Sequence, residues 1–273
     1  MKITAAVVQM TSTTDKKRNM DAAVELVDRA AGMGAEIVAL PENWLYMRGP
    51  NDPMIKGVDM EGPELSALRD LARSRSIYLL AGTVPERIED SKKVYNTSIL
   101  FGPNGGVLAK YRKIHLFDIN LTGGETHKES NFVKPGNKAV VAKTKFMKVG
   151  LSVCYDLRFP ELYRRMALNG ARLFFIPAAF TERTGRDHWD ILLRARAVEN
   201  LCFVLAPAQH GSNTSSRTTY GRSAIIDPWG TVIARAPDME TVSLAELDLD
   251  FQDRVRSDLP CLEHAHKWLN GQK

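Results

Sequence analysis

"VGLSVCYDLRFPEL", residues 149–162, carries an apolar stretch of strand length into a cysteine, then a polar, turn-prone segment, then Pro160 and Glu161. Proline followed by glutamate is a favourable first turn, so the chain reads as strand, tight turn, helix. A strand apolar along its whole length is one buried on both faces, the pattern of a sheet covered by helices. The question is whether Cys154 only fills that core, as an isolated cysteine usually does, or is carried by the turn to an edge where it can react.

The same rhythm spreads outward. Strand-length apolar runs recur at 5–10 (AAVVQM), 36–40 (EIVAL), 77–83 (IYLLAGT), 148–153, 172–177 (RLFFIP) and 202–208 (CFVLAPA). Helical spacing lies between them: 16–33 places Met20, Ala23, Val24, Val27, Ala30 and Ala31 three and four apart, and 63–75 opens on Pro63-Glu64 before Leu65, Leu68, Leu71 and Ala72. Residues 160–169 and 187–200 read as helices on the same grounds. Two hairpins follow, 97–111 turning on Pro-Asn-Gly-Gly and 223–235 on Asp-Pro-Trp-Gly. The order strand, helix, strand, hairpin thus occurs once in each half. Two such halves predict an α/β protein with an αββα layering, two sheets with helices outside. Nothing resembling a linker divides them, so 1–273 reads as one domain.

Composition narrows the function. At 273 residues, with 44% hydrophobic and 25% charged residues, the chain is an ordinary globular protein. The net charge of +5 is scattered, which argues against nucleic acid as a partner, since phosphate contacts need clustered Lys and Arg. Cys154, Cys202 and Cys261 form no metal-ligand or CxxC spacing, and so sparse a set suits a reducing, cytoplasmic setting. The start, MKITAAVVQM, lacks the long apolar core of a signal peptide, and no apolar run approaches the roughly 20 residues of a membrane span.

Strand ends carry the chemistry. Run 36–40 delivers Glu42, the first hairpin runs on to Lys113, and run 148–153 delivers Cys154. Ligand sites in α/β sheets gather beyond the carboxyl ends of strands. A thiol nucleophile, a carboxylate to take its proton and an ammonium to favour the thiolate and the oxyanion form a working set. The Tyr155 N–H, just past the cysteine, is a candidate second oxyanion donor. Taken singly, Glu42 is a loop carboxylate, Lys113 a surface ammonium and Cys154 packing; spacing alone does not choose. His115 is read as bonding locally, not as the partner of a Cys–His dyad, and His264 and His266 lack the spaced partners of a metal site.

Three blocks decide between these readings. "ALPEN" around Glu42, "YRKIHLFD" around Lys113 and "SVCYDLRFPEL" around Cys154 together resemble the signature blocks of the nitrilase, or carbon–nitrogen hydrolase, superfamily, in order and across nearly the whole chain. "GRDHWDILLRARAVEN" (185–200) and "YGRSAIIDPWG" (220–230) agree. The resemblance implies an αββα sandwich, a Glu42–Lys113–Cys154 triad, and no metal or organic cofactor. It also implies a second carboxylate, falling on Glu129 in the loop-like "HKESNFVKPG". "HLFD", "ESNFVKPG" and "CYDLRFPEL" resemble the amidase branch that holds ω-amidases and deaminated glutathione amidases. "APAQHG" and "RTTYGRSAIIDPWG" lie nearer the latter, for Tyr220 stands where ω-amidases usually have tryptophan. Arg222 departs from that pattern, which commonly has histidine there. The expectation is a thiol amidase acting on a small anionic amide, with Arg158, Arg186, Arg217 and Arg222 as candidate substrate contacts. The alternatives are an ω-amidase, an N-carbamoyl-amine hydrolase, or a silent binding protein of the same fold. The resemblance further implies a homodimer or higher homo-oligomer, with the tail 258–273, holding Leu259, Leu262 and Trp268, packing across subunits.

Overall fold

The computed structural model describes residues 1–49, 57–122 and 126–269. The first half runs β1 (Lys2–Gln9), α1 (Lys16–Gly32), β2 (Ile37–Ala39), α2 (Pro63–Ser74), β3 (Tyr78–Arg87), β4 (Val94–Phe101) and β5 (Val107–Arg112). A small ribbon of β6 (Asp118–Asn120) and β7 (Thr126–Lys128) follows. The second half runs β8 (Val140–Lys143), β9 (Lys148–Leu151), α3 (Pro160–Leu168), β10 (Leu173–Phe175), α4 (Glu182–Asn200) and β11 (Phe203–Ala206). A ribbon of β12 (His210–Thr214) and β13 (Arg217–Tyr220) then precedes the hairpin of β14 (Ala224–Ile226) and β15 (Val232–Arg235). The chain closes with β16 (Thr241–Asp248), α5 (Leu249–Asp258) and α6 (Cys261–Leu269).

Two six-stranded sheets result, ordered β16-β1-β2-β3-β4-β5 and β8-β9-β10-β11-β14-β15. Each has a parallel trio flanked by one antiparallel strand on one side and an antiparallel hairpin on the other. The repeat legible as a rhythm is therefore a repeat of sheet order. Alternation along the strands sorts the side chains. Ile3, Ala5, Val7, Ile37, Ala39 and Leu80 face the second sheet and share a core with Val149, Leu151, Phe175 and Leu205. Their neighbours Ala6, Val8, Val38, Leu40 and Leu79 face outward beneath α1 and α2, packing on Ala23, Val27, Ala30, Leu65 and Leu68. This is the αββα layering.

Local chemistry sets the helix starts. Asp15 caps α1 by accepting from the Arg18 N–H at 3.0 Å, Pro63 and Pro160 open α2 and α3, and Asp248 caps α5 through the Phe251 N–H. α4 begins at Glu182, five residues before the predicted start. Gly185 lies inside it, where a Cβ would stand 2.3 Å from Tyr220 Cβ. The tail 258–273 is helical over 261–269, while 270–273 lie outside the described residues. α6 touches α3 and α4 of its own chain, and Leu262 finds cover there, so only Leu259 and Trp268 of the three apolar tail residues stay exposed. Among the described residues no helix is long and apolar enough to cross a membrane.

Candidate active site

Glu42 sits in the turn after β2, and that turn needs a neighbour without a side chain. At Gly82 (φ +41°) β3 bulges, and a Cβ there would lie 2.0 Å from the Pro41 carbonyl oxygen. With the strands so close, the Asn43 N–H donates to Thr83 Oγ1 (2.9 Å) and Trp44 Nε1 to the Ala81 carbonyl (3.0 Å). From the other side, the buried Gln209 donates to the Glu42 carbonyl (3.0 Å) and to Ser12 Oγ (2.8 Å). The turn is thus fixed by backbone and buried amide groups before its carboxylate is considered.

Cys154 follows β9 at the elbow the sequence predicted. Its φ is +49°, a left-handed conformation that a residue with a side chain adopts at some cost. A 3₁₀ helix, Cys154–Arg158, then leads into α3. Lys113 is the first residue after β5, and its own N–H donates to the Asn96 carbonyl at 2.9 Å. Glu129, expected in a loop, opens a short 3₁₀ helix, Glu129–Asn131, directly after β7.

The structure brings these four residues together. Lys113 Nζ lies 3.0 Å from Glu42 Oε1 and 2.9 Å from Glu129 Oε2. Asn96 Nδ2 donates to Glu42 Oε1 at 2.9 Å and reaches Glu129 Oε1 at 3.3 Å. Glu42 Oε2 accepts from the Ala179 N–H (2.9 Å), and Glu129 Oε2 from the Phe117 N–H (2.7 Å). Lys113 and Glu42 are buried, Glu129 partly so. Asn96, Ala179 and Gly82 were not singled out from sequence. A polar Asn96 in the apolar strand VYNTSILF was the one available signal; the other two act through backbone.

Burial alone pushes the Glu42 carboxyl up. The Lys113 ammonium, hydrogen bonds with Cys154 and Lys113, and Arg217 outweigh it and hold the group below its ordinary value. Burial likewise works against the Lys113 charge, yet Glu129 and Glu42 overcome it and keep the ammonium well above its usual range. At Cys154, burial and the Glu42 carboxylate push the thiol well up, against the weaker pull of Lys113 and the Ala179 N–H. The pull of the ammonium toward the thiolate is thus present, but the nearby carboxylate and desolvation oppose it. The arrangement can pass the sulfur's proton to Glu42 as the sulfur attacks, and hold positive charge beside the oxygen that becomes negative.

A cavity of about 1050 Å³ opens onto Glu42, Lys113, Glu129 and Cys154. Tyr155 and the rings of Phe117, Phe132 and Phe180 line it, as do Arg48, Arg183, Arg186 and Arg217. Of the four arginines expected near substrate, Arg217 lies closest to the candidate triad, with Nη2 3.4 Å from the Ala179 carbonyl and a buried Nε that has no hydrogen-bond partner among the described residues. Arg186 is on the wall, but it pairs with Glu182 at 2.9 Å and is largely exposed. Arg158 and Arg222 are not among the lining residues. Arg158 turns to His188 and lies over the Tyr155 and Phe180 rings, and Arg222 pairs with Asp238 at 2.8 Å. His115 bonds Asp156, in keeping with its local reading.

The chain resembles known proteins along nearly its whole length. The carbon-nitrogen hydrolase family matches over residues 4–257. The chain is 42% identical to the deaminated glutathione amidase of Synechocystis over 263 residues, 95% of this chain and 97% of that one. It is 39% identical to omega-amidase NIT2 of Xenopus tropicalis over 259 residues, 95% of this chain and 93% of that protein. The NitFhit protein of C. elegans superposes with a TM-score of 0.86 at 35% identity over 96% of this chain, which spans 65% of NitFhit's length.

Proposed function

This chain belongs to the carbon–nitrogen hydrolase family and is a hydrolase of amide C–N bonds, and we propose that Cys154 is its nucleophile. In this reading the Cys154 sulfur attacks the amide carbonyl carbon while its proton passes to Glu42. Lys113 Nζ and the Tyr155 N–H receive the oxyanion; that N–H lies in the first turn of a 3₁₀ helix, where no intrahelical carbonyl takes it. Glu42 returns the proton to the departing nitrogen, the C–N bond breaks, and a thioester remains. Water, deprotonated by Glu42, then cleaves the thioester and the thiol regains its proton. Glu129 keeps Lys113 charged and aimed. The observation that carries this reading is the meeting of Glu42, Lys113 and Glu129 through bonds of 2.9–3.0 Å beside the buried thiol.

The substrate we infer is deaminated glutathione, as the name of the Synechocystis relative indicates for that protein. The cavity supports a long, doubly anionic molecule. About 1050 Å³ is far more than α-ketoglutaramate fills, and Arg48, Arg183 and Arg217 line the same walls as apolar rings. The leaving group is then the amine of the released dipeptide, whereas an ω-amidase reaction releases ammonia. Product analysis on the two substrates and an N-carbamoyl amine tests this: faster turnover of deaminated glutathione is expected. Preference for either alternative would leave only the amidase chemistry, and no hydrolysis of any amide would point to a silent binding protein.

A homodimer or higher homo-oligomer, in a single-domain subunit, completes the proposal. Ile191 and Val198 on α4, with Leu259 and Trp268 in the tail, are exposed apolar groups that a second copy would cover. Light scattering at micromolar concentration is expected to give at least a dimer; a monomer refutes it. The three free cysteines fit a cytoplasmic setting.

A further inference from the structure

Asp156, two residues after Cys154, is fully buried and carries four contacts. Its Oδ2 accepts from the Val153 N–H at 2.9 Å and from the Tyr111 hydroxyl at 2.7 Å. Its Oδ1 accepts from the His115 N–H at 3.0 Å and lies 2.7 Å from His115 Nδ1. A carboxylate only accepts, so Nδ1 bears the proton in that contact. The Ile114 N–H reaches the Tyr111 oxygen at 3.4 Å. One carboxylate therefore grips residues on both sides of Lys113 and the residue just before Cys154.

These bonds run between the layers, since β5 belongs to the first sheet and β9 to the second. The far end of the same 3₁₀ helix is tied as well: the His115 ring stacks on Phe159 with centroids 3.6 Å apart and planes at 7°. Cys154 stands between Val153 and Asp156, which the carboxylate joins, in a backbone conformation that must be held from outside. Neither Asp156 nor His115 is among the residues lining the cavity, so neither meets substrate directly. We propose that Asp156, acting with His115, is a positioning residue that sets the separation of Cys154 from Lys113 across the two sheets. The inference rests on Cys154 and Lys113 having the roles given above.

The test compares Asp156→Asn, His115→Phe and His115→Asn in the full chain. Asp156→Asn keeps shape but turns an NH2 toward two donors. It should lower kcat per titratable Cys154 by about 10²-fold, as a misplaced reacting pair does, with KM changed by less than about 3-fold. His115→Phe keeps the stack and loses one donor, for an expected loss of about 10-fold; His115→Asn restores a donor and should recover part of it. A second readout needs no amide substrate. The rate of iodoacetamide labelling at Cys154 should fall in Asp156→Asn while Cys261 labels as in the wild type. Normal kcat per titrated site and normal Cys154 labelling, with only a lowered melting temperature, would reduce Asp156 to a structural group. If Asp156→Asn does not fold, the two His115 variants decide: equal kcat in both and in the wild type overturns the proposal. If the wild type hydrolyses no amide, the functional reading fails, and the labelling comparison still judges the positioning.

Discussion

The two sheets follow one plan, yet they place their reactive groups on different strands. Three residues past Val7, the last residue of β1 paired with β2, stands Met10; three past Leu151, the last of β9 paired with β10, stands Cys154. On the next strand the weights reverse: three past Ala39 is Glu42, and three past Phe175 is Ala178. Met10 and Ala178 are buried and apolar. Beside Ala178, the Ala179 N–H binds Glu42 from across the interface. A repeated scaffold therefore becomes a site by asymmetry. At these matched strand ends each sheet gives one polar side chain where its counterpart gives packing, and the two meet because the carboxyl ends of both trios face the same cavity.

Substitution can push that contrast hardest at the first pair of positions. Cys154→Ala should abolish turnover and leave the denaturation midpoint nearly unchanged. Met10→Ala should do the reverse, keeping kcat within about 3-fold while losing about 2–4 kcal/mol of stability, the usual cost of truncating a buried methionine. Urea titrations beside steady-state assays would show whether the two positions separate so cleanly.

Next come the groups that only one sheet supplies. Glu42→Gln and Lys113→Ala should each lower kcat by at least about 10²-fold. Lys113→Ala should also lower the melting temperature, because Glu42 and Glu129 then face each other without their cation. The pH profile sharpens the point. Glu42 must be ionised to act and is held below its ordinary value, so kcat/KM should stay level through neutrality and fall only below the usual carboxylate range. The sign for stability agrees: a carboxyl depressed in the folded state stabilises above its unfolded value, and that contribution is lost as pH falls. An acid limb near neutrality would contradict the assignment of Glu42 as base.

The smallest effects concern the cavity wall. Arg217→Ala should cost about 10- to 100-fold in kcat/KM on a dianionic substrate and much less on a neutral amide of equal length. It should also move the acid limb upward, since Arg217 helps to hold Glu42 down. Arg222→Ala, which loses only the surface pair with Asp238, should stay within about 2-fold on both substrates. Rate ratios for the two substrates in each variant would check this.

Much of this was legible before any coordinates. Parallel strands buried on both faces announce themselves as apolar runs, and Glu42 and Cys154 stand just past such runs, Lys113 just past the second strand of a hairpin. β16, where Thr241, Ser243, Glu246 and Asp248 interrupt the apolar residues of TVSLAELD on both faces, offers no such run. The supporting groups escaped for another reason. The Ala179 N–H, the Gly82 bulge and the contacts of Asp156 exist only once distant segments pack, and a backbone N–H has no signature in a side-chain pattern. The substrate arginines show the same limit: Arg217 and Arg222 are five residues apart, and only the turn between β13 and β14 sends one to the cavity and the other to Asp238.

The raised Cys154 thiol has a consequence outside the amide reaction. Peroxides oxidise thiolates far faster than thiols, and the path to sulfenic and then irreversible sulfinic acid begins at the thiolate. A thiol pushed up by burial and a neighbouring carboxylate is a poorer target for that chemistry, although it lies open to a wide cavity. Burial and the Glu42 carboxylate, which push the thiol up, thereby also disfavour the thiolate that peroxides attack.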